Sequence, residues 1–182
     1  NTITSVYLTA TGSGYETTPT FTITAGSGGG SGAVVTYNGE TAKSGGNSYS
    51  RYITRKVVLA DGFDSGDLRV YVTSYKPAGA NIRVYYKLLS ASDTEGFDNK
   101  SWQLMTQLTN TNYVSAGPDD YREIAYAPGV NGSANNSVSY VTGSTAYNTF
   151  RTFAIKIVLT GTDTTDVPKV RDFRAIALPS GA

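Results

Sequence analysis

The sequence predicts an all-β protein: an antiparallel β-sandwich preceded by a small glycine-rich β module. Three observations carry this. Short runs alternate apolar and polar residues with period two, and they are rich in Val, Ile, Tyr, Phe and Thr. Clusters of Gly, Pro, Asn and Asp separate these runs. No run keeps the spacing of an amphipathic helix. Roughly seven or eight strands over residues 46–182 favour a jelly-roll-like arrangement, with an immunoglobulin-like one as second choice. Alternation leaves the strand order open.

The elements follow in chain order. Residues 2–9 (TITSVYLT) read as a strand, and GSGYETTP as a turn. Residues 20–24 (TFTIT) set Phe21 and Ile23 against threonines and read as a second strand. Residues 33–37 (AVVTY) form a third, closed by Asn38-Gly39, a strong turn pair. The window 12–32 holds seven of the chain's 20 glycines. Gly28, Gly30 and Ala33 meet the spacing of a dinucleotide loop, but β-branched AVVTY follows where that loop needs a helix N-terminus. No lysine follows as a Walker-type phosphate loop requires. The glycines therefore read as turns of a β repeat. Residues 38–50 (NGETAKSGGNSYS) have no apolar period and read as a linker. The chain divides into a small module with its linker, 1–45, and a sandwich, 46–182.

Within the sandwich, RYITRKVVLA (51–60) reads as one strand. LRVYVTSY (68–75) sets Leu68, Val70 and Val72 against Arg69, Tyr71 and Thr73. NIRVYYKLL (81–89) sets Ile82, Val84, Tyr86 and Leu88 against Arg83, Tyr85 and Lys87. With KPAGAN between them, the two read as a hairpin. SWQLMTQL follows with Trp102, Leu104 and Leu108 inward, then YREIAYAP (121–128) and VSYVT. In 149–161 Phe153, Ile155, Ile157 and Leu159 point inward, and VRDFRAIAL (170–178) closes the fold.

The chain has neither Cys nor His. That removes disulfides, thiol nucleophiles, the usual zinc sites and the Ser-His-Asp triad. A net charge of +1, from 15 basic and 14 acidic residues, argues against a nucleic-acid partner. No apolar run approaches the roughly 20 residues of a membrane-spanning helix. The start at Asn1 reads as a piece of a longer polypeptide or a processed product. The glutamates Glu16, Glu40, Glu95 and Glu123 share no local pattern of the paired carboxylates that glycoside hydrolysis uses.

Two constellations remain. If the hairpin forms, Arg69, Tyr71, Arg83, Tyr85 and Lys87 share one sheet surface. Such a face can stack a sugar or contact a neighbouring subunit. Asp61, Asp64 and Asp67 in DGFDSGD are candidate calcium ligands, since calcium takes six to eight oxygens. The alternative is a polar turn whose Asp residues cap their own backbone. The loop with Asp93, Glu95 and Asp98 poses the same choice.

Two stretches carry a resemblance. ITSVYLTATGSGYETTPTFTI, followed by GGGSGA, resembles a short β repeat of large structural proteins of tailed phages. RYITRKVVLADGFDSGDLRVYVTSYKPAGANIRVYYKLLSASD and FAIKIVLTGTDTTDVPKVRDFRAIAL are similar to a β-sandwich domain in virion structural proteins of contractile-tailed phages, especially those of marine cyanobacteria. The resemblance implies a non-enzymatic component of the virion, in the tail, baseplate or tail fibre. Its partners would be other virion proteins and copies of itself, in closed rings or trimers. It carries over no catalytic residue and no cofactor. A carbohydrate-binding module that grips host-surface glycan is the alternative.

Overall fold

The computed structural model describes residues 39–130, 133–134 and 137–179. The expected β module in residues 1–38 lies outside the described residues. Eleven strands follow: β1 (Arg51–Ile53), β2 (Val57–Val58), β3 (Asp67–Tyr75), β4 (Asn81–Leu89), β5 (Gln103–Gln107), β6 (Arg122–Val130), β7 (Ser133–Ala134), β8 (Tyr140–Thr142), β9 (Thr145–Tyr147), β10 (Thr152–Thr160) and β11 (Lys169–Leu178). Short 3₁₀ turns at Gly39–Thr41 and Phe97–Asn99 are the only helical pieces among the described residues.

The strands form an all-β, antiparallel, sandwich-like fold. One curled sheet runs β1-β10-β4-β5-β6-β3-β11, and β8-β9 form a separate hairpin turned at Gly143. β5 joins the two layers. Gln103 and Leu104 pair with β4, while Met105 to Gln107 pair with β6. β1, β10 and β4 make one layer, and β6, β3 and β11 the other.

The alternation that marks the long strands also builds the core. Leu68, Val70 and Val72 of β3 meet Ile82, Val84, Tyr86 and Leu88 of β4 in one buried cluster. Ile124 and Tyr126 of β6 and Phe153, Ile155 and Ile157 of β10 complete it, and Leu159 is partly buried against it.

Several expectations change. β3 and β4 do not pair as a hairpin: β3 lies between β11 and β6, and β4 between β10 and β5. Their link, Lys76–Ala80, arches from one layer to the other. Gly161–Pro168, between β10 and β11, makes a second such arch beside it. Tyr75 donates to Asp166 at 2.7 Å across the pair. The strand expected over 51–60 is two, β1 and β2, both on β10. Ile53 faces Lys156 and Val57 faces Phe153, so one extra residue sits between them. Thr54 fills the gap, donating its N–H to Ile155 O and accepting the Ile155 N–H at Oγ1. In β5 the inward residue is Met105, while Leu104 points out and Trp102 belongs to a different cluster.

Residues 39–46 are not a free linker. They form a strap packed on the outer side of β4 and β10, with Trp102 donating its backbone N–H to Thr41 O at 3.0 Å.

Candidate functional site

The five residues expected on one face stand on two. Alternation decides which side of its strand a residue takes, not which strand lies beside it. Since the apolar sides of β3 and β4 meet in one core, Arg69 and Tyr71 leave one layer outward, and Arg83, Tyr85 and Lys87 leave the other.

On the β3 side every neighbouring ring already carries a cation of the same chain. The Arg174 guanidinium lies over Tyr71 at 4.5 Å and pairs with Glu123 at 3.0 Å. Arg171 covers Tyr121 at 4.3 Å, and Lys169 lies 5.3 Å from the Tyr75 ring. Arg69 is half-buried, and its Nε is buried without a hydrogen-bond partner.

On the β4 side the strap covers two of the expected contact residues. Tyr85 is 4% exposed and Lys87 5%. They belong to a layer of lysines and rings that sequence reasoning missed. Lys156 of β10 is fully buried. Its ammonium donates to Glu40 O, to Gly45 O at 2.9 Å and to Glu40 Oε2 at 3.1 Å. It lies 4.4 Å from the Tyr85 ring and 5.3 Å from Trp102. Lys87 donates to Lys43 O at 3.0 Å and sits between Trp102 and Phe97, 5.1 and 5.6 Å from their centroids. Burial lowers both amines from the usual lysine range. The Glu40 carboxylate pulls Lys156 partly back, and Asp98 does the same for Lys87. A buried amine of lowered pKa can serve as a nucleophile, but Lys156 has three oxygen acceptors and no exposure. It holds the strap. The signal was in FAIKIVL: the side of the run opposite Phe153, Ile155 and Ile157 reads Ala154, Lys156 and Val158, too apolar for a solvated face.

The aspartates of DGFDSGD do not converge. Asp67 begins β3 and is buried, whereas Asp61 and Asp64 lie on the exposed turn, where Asp61 pairs with Arg151. Asp67 Oδ1 has no hydrogen-bond partner. Among the described residues no three acidic groups gather where one metal ion could reach them.

The loop of Asp93, Glu95 and Asp98 becomes a clasp instead. Lys100 is buried, with its ammonium 2.5 Å from Asp93 Oδ2 and 2.6 Å from Glu95 Oε2. Tyr140 and Thr142 donate to the same Asp93 oxygen at 2.9 and 3.0 Å. Burial pushes the Asp93 carboxyl up, but the Lys100 ammonium, the Glu95 N–H and the two hydroxyls outweigh it and hold the group at about 2. The clasp ties the β8-β9 hairpin to the end of β4, where Tyr140 OH accepts the Ser90 N–H at 2.7 Å.

Among the described residues, what stays open is the seam where the curled sheet does not close. β1 and β11 face each other there, and the Tyr52 and Phe173 rings meet edge to face at 6.3 Å. Between them runs a groove of about 480 Å³. Ile157, Leu159 and Val170 line it together with the charged Arg51, Arg171 and Asp172. Tyr52 is 58% exposed.

No family model matches the chain, and neither a curated protein nor a solved structure matches it.

Proposed function

We propose that the chain is a non-enzymatic structural module of a tailed-phage virion, placed in the tail, baseplate or tail-fibre region, that works by docking on neighbouring subunits. The phage setting rests on the resemblance of the two quoted stretches. The docking role is carried by one observation. The buried lysines Lys87, Lys100 and Lys156 are held by partners within the chain, while the open feature among the described residues is a long sheet edge beside an apolar groove. Amines fixed in this way hold a shape instead of standing poised for a substrate.

Carbohydrate binding is the second reading. Tyr52, exposed beside Arg51 and Asp172, favours it, because an open ring flanked by polar groups is what a sugar face stacks on. A glycan array probed with the purified chain separates the two, together with cross-linking mass spectrometry on the assembled particle. The assembly reading expects no glycan signal, and cross-links from Lys169 or Lys56 to other virion chains. A glycan signal abolished by Tyr52→Ala, with no inter-subunit cross-link, would replace it with the second reading.

A further inference from the structure

β11 is the last strand of its layer. Among the described residues it pairs only with β3, over Lys169–Leu178. One side of a ten-residue strand therefore presents a row of backbone N–H and C=O groups without ladder partners. Natural sheets protect such edges with bulges and charges, and β11 has both. A bulge falls between Val170 and Asp172, leaving Asp172–Leu178 in unbroken register.

The charges are one-sided. Lys169, Arg171 and Arg174 stand against the single acid Asp172. Glu123 already pairs with Arg174, but no carboxylate of the described residues pairs with Lys169 or Arg171. Two copies meeting edge to edge would set this cationic strand against itself, and like charges facing across a ladder are destabilising. The same charges attract an acidic strand. Arg51 stands on the facing side of the groove and adds to that preference.

We propose that β11 accepts an extended acidic segment of a partner polypeptide as an added strand, with the partner's alternate apolar side chains entering the groove beside Tyr52 and Phe173. Backbone hydrogen bonds would supply affinity, and the groove and its cationic side chains would supply selectivity. This deepens the assembly reading and rests on it only for the existence of a partner.

The test uses the full chain and a peptide of alternating valine and glutamate. Two control peptides accompany it: one with lysine in place of glutamate, and one with alternate backbone amides N-methylated. Binding is read by calorimetry, and the site by hydrogen exchange. The acidic peptide should bind and slow exchange at the β11 amides that point away from β3. N-methylation should weaken it by roughly tenfold or more, because it removes donors without changing charge. Arg171→Glu should weaken the acidic peptide and strengthen the lysine peptide, each by about tenfold.

Three results would overturn the proposal. One is no binding of the acidic peptide below roughly 1 mM. Another is equal binding of the N-methylated peptide, which would mean mere electrostatic adhesion. The third is full protection of the same β11 amides in the chain alone, which would mean that the chain covers its own edge. None of these bears on assembly through another surface, which the cross-links report separately.

Discussion

Lys156 shows what a single residue does in this fold. It sits in the middle of an apolar strand, fully buried, and its ammonium fastens the strap through Glu40 and Gly45. Glu40 works in both directions, since its Oε1 also accepts the N–H groups of Asn47 and Ser48 at 2.9 and 2.8 Å. Removing the carboxylate leaves Lys156 a buried charge without its counter-ion, held only by the backbone carbonyls of residue 40 and Gly45, which costs more than removing both charges. Glu40→Ala should therefore lower stability by about 2–3 kcal/mol. Trp102, the only tryptophan, lies beneath the strap, so its emission should move to longer wavelength as the strap lifts. Lys156→Met in the same chain should restore part of the loss, because the stranded charge is then gone. Unchanged emission and an unchanged unfolding curve in Glu40→Ala would show that the pair does not hold the strap. Little of this was legible beforehand. Glu40 and Gly45 stand in a stretch that composition marks as a linker, and their partner lies 116 residues from Glu40. Local pattern carries no information about a contact so distant.

At the scale of elements, alternation located the long strands and chose the buried side of β3, β4 and β10 correctly. It paired β3 with β4 wrongly. KPAGA has the composition of a hairpin turn, yet it carries the chain across the sandwich, because a turn's residues set local dihedrals and not the layer that the next strand joins. The two arches are fitted closely to each other. Gly79 has φ +72, and a Cβ there would lie 2.4 Å from Thr162 Oγ1. Gly79→Ala should thus cost on the order of 1–3 kcal/mol, from the left-handed backbone and from the clash. Adding Thr162→Ala should recover only the share due to the clash, since the backbone conformation stays the same. Denaturant titration of the single and double variants measures both parts. Full recovery in the double variant would show that the backbone at Gly79 is not strained. The broken first strand has a similar lesson. The extra residue between β1 and β2 is invisible in RYITRKVVLA, because Thr54, which fills the gap, is also an ordinary strand residue.

The molecule as a whole buries several tyrosines and lysines in apolar surroundings, and its stability should follow pH accordingly. The all-β class was legible because composition and period are properties of the entire chain. The open seam was not, since it depends on which strands end up last in the sheet. The pH response includes three sets of groups, beside Lys100, where burial is outweighed by Asp93 and Glu95, which raise it above the usual lysine range. On the acid side, Asp93 is held at about 2 against its ordinary 3.8. A lowered carboxyl stabilises the fold fully above 3.8, and that contribution is lost as pH falls through 3.8 toward 2. On the alkaline side, burial raises Tyr86 from 10.0 to about 12 and raises Tyr126 and Tyr140 as well. Their contribution is fully present below 10.0 and is lost as pH rises, because the unfolded phenols ionise while the folded ones keep their protons. Lys87 and Lys156 act in the opposite sense. Unfolded lysines hold protons that the buried ones have released, so these two add stability as pH climbs toward 10.5 and nothing beyond it. The net expectation is a shallow response just below 10.5 and a steep fall above it. Tyr86 alone should account for on the order of 2–3 kcal/mol of that fall. Chemical denaturation of the wild-type chain and of Tyr86→Phe at a series of alkaline pH values measures this share. The variant gives up the hydrogen bond to Gln103 at every pH, but its curve should fall less steeply above 10.5. Parallel curves would mean that the Tyr86 phenol ionises as readily in the folded chain as in the unfolded one.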